Sequence, residues 1–392
     1  MSLIPVAEAQ ARLLALAKPP PTERISVAAC AGRWLTEDIV ARRDQPWTAL
    51  SAMDGYAVRA GEWPGPWRLV ATSAAGDPAP PQLAPGDAFR IFTGAPLPRG
   101  ADAVLIQEDA AVEGDSVRST DAAFAPGRHV RPAGSDFITG QHLLAAGSRL
   151  NAARIALAVL AGHGALPVGC RPRVALLSTG NELMPPGAPI PPGALPSSNA
   201  PMLAAMLANL PCDVVDLGIV ADDMEATVAA LERASDADVI VTTGGASAGD
   251  FDLVRPAIAQ AGGRLDFWKI RMRPGKPLMA GTLGQSIFLG LPGNPVSAFV
   301  GATLFLLPLV RHMAGASMPL PHSEAGTLAG PLPASGERDN YFRAYHGDGG
   351  LVSVTSQDSA AVLALASADC LILRPAGSPV AQAGDRVTII PV

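Results

Sequence analysis

Three short segments join glycine to hydroxyl, amide or proline residues, and each follows an apolar run suited to a buried strand. They are Thr179-Gly180-Asn181-Glu182 after RVALLS, Gly244-Gly245-Ala246-Ser247-Ala248-Gly249-Asp250 after VIVTT, and Pro292-Gly293-Asn294-Pro295 after IFLGL. Glycine lets the backbone approach a ligand closely, and free N–H groups at loops and helix starts attract anions. A phosphate or another oxyanion is the expected guest. Neither of the first two loops fits G-x-G-x-x-G or G-x-x-x-x-G-K-[ST], so a dinucleotide fold and a P-loop are both disfavoured.

Carboxylates gather at the same strand ends: Glu182, Asp222, Asp223, Asp250 and Asp252. Asp222 alone reads equally well as a helix cap, because it stands three residues before Glu225 in a capping-box pattern. Several acids around one anion repel it unless a hard cation lies between them. Oxygen donors with few histidines favour Mg²⁺ over zinc. The basic counterpart is Lys269-Ile270-Arg271-Met272-Arg273-Pro274-Gly275-Lys276-Pro277, which holds two of the three lysines in the chain. A compact ammonium is in demand here, although a solvated charged turn gives the same pattern. Two further loops, SAMDGYA around Asp54 and FTGAPLPRGADAV around Thr93, read as turns whose Pro and Gly hold Thr93 at a rim.

These residues need a scaffold, and the sequence supplies one. From Arg173 onward, strand, Gly-containing loop and helix alternate, the mark of a parallel sheet covered by helices on both faces. In such a sheet ligands bind beyond the carboxyl ends of the strands, where the loops above fall. The expected fold class is α/β multidomain: short β pieces broken by Gly and Pro up to residue 170, a parallel-rich α/β domain from Arg173, and a small C-terminal β-barrel or sandwich beyond Pro319. Within the first part, a helix over 5–17 and one capped by Asn151 and running towards Gly162 are expected. The barrel or sandwich is read from short alternating runs, YFRAYH, LVSVTS, CLILRP and RVTIIPV.

Bulk properties narrow the function. A chain of 392 residues, 48% hydrophobic, exceeds one core and argues against disorder. A net charge of −6 gives no basic field for nucleic acid. The four cysteines lie far apart with no C-x-x-C, which signals neither a zinc knuckle nor a dithiol. Glu8 and Arg12 interrupt any secretory apolar core, so a cytoplasmic address is expected. The apolar run at 295–310 is too short for a span, and Asn294-Pro295 opens it as a buried helix, so no membrane is implied.

The chain resembles the molybdopterin molybdenumtransferase family, the MoeA proteins and the E domain of gephyrin. The matching stretches are SAMDGYAV, IFTGAPLPRGADAV, RPAGSDF, LLSTGNEL, TTGGASAGDFD, RMRPGKP and LGLPGNPVSA, in the family's order. The resemblance implies four parts, a mixed N-terminal domain from 1–45 plus 140–170, an elongated β-rich insertion over 46–139, a central α/β molybdopterin-binding domain over 171–317 and a C-terminal β-barrel over 318–392, and a homodimer whose clefts draw on both subunits. It implies a reaction that takes adenylylated molybdopterin and molybdate, inserts molybdenum and releases AMP, with Mg²⁺ required. Residue by residue, it implies functional roles for Asp54, Thr93, Asp136, Glu182, Asp222 and Asp252, with Glu182 and Asp222 positioning Mg²⁺. Substrate contacts are expected from Thr179, Gly180, Gly244, Gly245, Ser247, Lys269, Pro292, Gly293, Asn294 and Pro295. Molybdate falls to Arg273, Lys276, Pro277, Arg343 and Ser359. Asn181 stands where many members carry Asp, and Arg273 replaces a common Lys. Further partners implied are a molybdopterin adenylyltransferase and the molybdoenzymes that receive the cofactor. The competing readings are the adenylyltransferase reaction itself and a non-catalytic pterin-binding scaffold.

Overall fold

The computed structural model describes residues 3–121, 124–245, 253–354 and 356–392. At its centre lies a six-stranded sheet, ordered Asp213–Val220, Arg173–Thr179, Val239–Thr243, Ser286–Leu291, Met279–Leu283 and Arg264–Trp268. The first four strands are parallel and the last two antiparallel. Side chains alternate between two cores, as a pleated strand requires. Val174, Leu176, Val239, Val241 and Leu289 face one, and Ala175, Ile240 and Phe288 face the other. The chain leaves Arg173–Thr179 for the neighbouring edge strand, then crosses back to Val239–Thr243 on the opposite side. The strand order therefore reverses beside Arg173–Thr179, and a crevice opens there at the carboxyl ends.

The first helix, Val6–Ala15, packs on this sheet and not with the strands that follow it in sequence. Val6, Ala9 and Leu13 enter the sheet's core cluster, Gln10 Nε2 donates to Leu304 O at 2.9 Å, and Arg12 pairs with Asp266 at 2.8 Å. The strands that follow pair elsewhere, Thr22–Ser26 with Ala165–Gly169 and Ile39–Val40 with His142–Leu144. An amphipathic helix is placed by the partner of its apolar face, and sequence proximity does not name that partner. The insertion folds around its own sheet, from Gly55–Val58 to Ser116–Ser119, filled by Trp67, Leu105 and Val117.

The apolar stretch forms a continuous helix, Pro295–Met313, longer than the sequence suggested. Its 19 residues are enough by length and composition to cross a bilayer, but it is 72% buried inside the protein. It is a core helix. Pro308 sits within it, just after a π turn at Ala302–Leu306. A proline has no N–H for the carbonyl four residues back, and the widened turn makes room for its ring.

The C-terminal sheet runs Met272–Arg273, Asp339–Gly347, Cys370–Arg374, Arg386–Pro391, Glu324–Thr327, with Gly350–Ser353 paired to Asp339–Gly347. Its edge strand comes from the α/β domain, with Met272 opposite Asp339 and Arg273 opposite Asn340. Tyr341, Leu371 and Ile390 also share the α/β core. The basic segment is therefore fixed at both ends, by the α/β domain that contains it and by the β domain it joins.

Candidate active site

A cavity of about 870 Å³ lies at the reversal point. Thr179, Gly180, Glu182, Asp222, Gly244, Gly245, Pro292, Gly293, Asn294 and Pro295 line it, together with residues 195–199, Pro277 and Ala360. The loops interlock through backbone bonds: Gly180 N–H donates to Val220 O at 3.2 Å and Gly244 N–H to Leu291 O at 3.2 Å. Gly244 has φ +95, and a Cβ there would stand 2.5 Å from Thr179 O. Only glycine brings these two loops so close.

The cap and the site acid separate cleanly. The helix Met224–Arg233 is capped by Asp223, whose carboxylate accepts from Ala226 N–H at 2.8 Å. The capping-box reading of Asp222 is therefore off by one residue, and Asp222 is left for the cavity. There it exchanges two bonds with Asn181: Asn181 N–H donates to Asp222 Oδ2 and Asp222 N–H to Asn181 Oδ1, both at 3.1 Å. An amide at 181 accepts that bond without adding a second charge against Asp222. The Glu182 carboxylate folds back over Gly180, where a Cβ would meet its Oε2 at 2.6 Å. Among the described residues neither Glu182 nor Asp222 has an ion-pair partner. Two unneutralised carboxylates on adjoining loops of one cavity are an all-oxygen donor set, which suits Mg²⁺.

A second hollow of about 650 Å³ adjoins the first and shares Pro277, Pro292 and Asn294 with it. Its cations are Arg273, Lys276 and Arg338, and Gln357, Asp358 and Ser359 close its far wall. Asp358 is occupied in its own turn, accepting from Ala360 N–H at 2.8 Å. Arg338 was not among the expected site residues. It immediately precedes Asp339–Gly347, and only the pairing of that strand with Met272–Arg273 brings it beside Arg273; nothing in the local sequence signals this.

Other expected residues sit elsewhere. Arg343 does not line either hollow. It is 1% exposed, and its guanidinium donates to Ser356 O at 2.9 Å and Ala361 O at 3.2 Å. Its expected role as an oxyanion ligand is corrected on that ground, and burial pushes its pKa down against the pull of Asp358. Lys269 also lines neither hollow; its ammonium stands 3.9 Å from the Trp268 ring centroid. Asp54 and Thr93 meet in the insertion, where Asp54 Oδ1 accepts from Thr93 N–H at 2.7 Å and from its hydroxyl at 2.8 Å. Those donors, the backbone one first, hold the Asp54 carboxyl below its usual pKa. Asp136 is exposed in a turn, its N–H on Gln45 O at 2.9 Å. None of these three borders the two hollows within one chain. Ser247 and Asp252 lie outside the described residues.

Among the described residues one group of three ligand types comes together, His346, Asp369 and Cys370 in the C-terminal sheet. Burial pushes the Cys370 thiol up to about 12, and it donates to Ala344 O at 3.5 Å. A protonated, spoken-for thiol is a poor ligand.

The chain is similar to known proteins over nearly its whole length. Residues 4–162 match the MoeA N-terminal region (domain I and II), 175–312 a probable molybdopterin binding domain, and 325–392 the MoeA C-terminal region (domain IV). The molybdopterin molybdenumtransferase of Haemophilus influenzae is 33% identical, covering 95% of this chain and 94% of its own. That of Bacillus subtilis is 32% identical, covering 99% and 94%. A crystal structure of the molybdopterin biosynthesis MoeA protein from Pyrococcus horikoshii OT3 superposes with a TM-score of 0.85 at 25% identity, covering 100% of both chains. Architecture, motif order and near-full-length identity agree: the chain belongs to the molybdopterin molybdenumtransferase family.

Proposed function

We propose that this chain inserts molybdenum from molybdate into adenylylated molybdopterin and releases AMP, forming the molybdenum cofactor. The observation that carries the reading is the adjacency of two unlike hollows that share Asn294 and Pro277, one bordered by glycine loops and carboxylates without ion-pair partners, the other by three cationic side chains.

Arg273, Lys276 and Arg338 supply convergent cationic donors for a tetrahedral dianion, and charge-assisted bonds of this kind are the strong ones. The loops at Thr179, Gly180, Gly244 and Gly245 present backbone to the phosphate groups of the pterin substrate. Glu182 and Asp222 would hold Mg²⁺, which when bound neutralises charge on the phosphoanhydride. The shared wall sets the two substrates side by side, and such placement is itself a large part of lowering a bimolecular barrier. Asp54, held by Thr93, and Asp136 border neither of these two hollows in their own chain and act on the cleft of a second copy. We place the reaction in the cytoplasm as a homodimer. An adenylyltransferase has no use for the second hollow.

Incubating the purified protein with adenylylated molybdopterin, molybdate and Mg²⁺ tests the reading. AMP release matched by molybdenum uptake supports it, and absence of both overturns it.

A further inference from the structure

The loop of residues 356–361 walls both hollows: Gln357, Asp358 and Ser359 face the cationic one, Ala360 the other. It is fastened at two points. On the α/β side, Asn294 Nδ2 donates to Ser359 Oγ at 3.0 Å and Val296 N–H to Ser359 O at 3.2 Å. Asn294 lies in the wall common to both hollows. On the C-terminal side the loop closes around Arg343. The guanidinium takes Ser356 O and Ala361 O, the carbonyls at the two ends of the loop. Gln357 brackets the same residue's backbone, accepting from Arg343 N–H at 3.2 Å and donating to Arg343 O at 3.0 Å. A planar guanidinium offers two amino groups in a fixed fork to two carbonyls, whereas an ammonium presents one nitrogen on a flexible stem.

We propose that Arg343 is a positioning residue that couples the two hollows: by holding residues 356–361 it presents Ser359 to Asn294, and it does not touch the oxyanion. The inference rests on the reading of the hollows given above. A cation that contacted molybdate would affect that ligand alone. One that holds a wall common to both sites affects both ligands together.

The test measures molybdate and AMP binding separately by calorimetry on the full chain, with hydrogen exchange of the 356–361 amides. Arg343→Ala should weaken both ligands in parallel, each by about tenfold, the scale of one lost charge-assisted bond, and should speed exchange across the loop. Arg343→Lys should recover little of either. Loss of molybdate affinity alone, with AMP binding and loop exchange unchanged, makes Arg343 a direct ligand and overturns the proposal. Ser359→Ala guards against a misfolded Arg343 variant, since it cuts the link to Asn294 and leaves the buried guanidinium in place. It should weaken both ligands less than Arg343→Ala does; unaltered AMP affinity in that variant refutes the coupling. If the wild-type protein binds neither ligand, the functional reading fails, and the exchange measurement still decides whether Arg343 holds the loop.

Discussion

The loops after Arg173–Thr179, Val239–Thr243 and Ser286–Leu291 and the loop at 356–361 border the same cleft but are held there by different means. The sheet loops inherit their place from parallel strands buried on both faces and need little from their own side chains beyond glycine at Gly244. The C-terminal loop belongs to no element and is set by Arg343, Gln357 and Asn294. Where the scaffold sets position, side chains are free for chemistry; where side chains set position, they are consumed by it. Glu182 and Lys276 therefore belong with the reacting groups and Arg343 with the supports.

The sharpest test of that division is Glu182→Ala. Removing one of the two cleft carboxylates proposed to hold Mg²⁺ should lower turnover by about a hundredfold or more, with the thermal midpoint unchanged because Glu182 is exposed. A normal rate of AMP release would move Glu182 to the supports. Lys276→Ala comes next. It should raise the molybdate concentration for half-saturation by about tenfold, the scale of one charge-assisted bond, while AMP binding stays as it was. Equal loss of both would place Lys276 beside Arg343 and erase the contrast.

The neighbours Asp222 and Asp223 repeat the contrast within two residues. Asp223→Ala removes a helix cap and should cost about 1 kcal/mol of stability, read in denaturant unfolding, with turnover preserved. Asp222→Ala should do the reverse, because its carboxylate faces the cleft and caps nothing. Similar profiles for the two variants would mean that the cleft and the helix start are not separable.

What the sequence disclosed follows the same line. Strand ends and their glycines were legible because parallel order alone dictates where a cleft opens. Asn151 was legible as a cap because the whole interaction is local, its side chain accepting from Arg154 N–H at 2.9 Å. The choice between Asp222 and Asp223 was not, because a one-residue shift of the helix start leaves the pattern unchanged. The placement of Arg343, Arg338 and the helix Val6–Ala15 was illegible for another reason: each is set by a partner far along the chain, whether a carbonyl, a paired strand or a core. An Arg carried over from the resemblance reads as a ligand until its burial is known.

The smallest expected effect is in the insertion, where Asp54 and Thr93 form a local pair away from both hollows of the chain. Asp54 is held below its ordinary value, about 3.9, by the Thr93 N–H and hydroxyl. A depressed carboxyl contributes stability at pH values above its unfolded pKa and loses that contribution as pH falls through its lower folded value. Thr93→Val keeps the N–H and removes the hydroxyl. The Asp54 pKa should rise part of the way towards its ordinary value, followed by carbon-detected NMR titration of the carboxyl, and the acid limb of the pair should begin at higher pH. Because the backbone donor is the larger cause, the shift should be less than the full depression. If Thr93→Val lowered AMP release at neutral pH while leaving this titration unmoved, the hydroxyl would be acting on substrate across a subunit boundary and not on Asp54. Thr93 would then stand with Glu182 and Lys276 as a reacting group on a second copy's cleft.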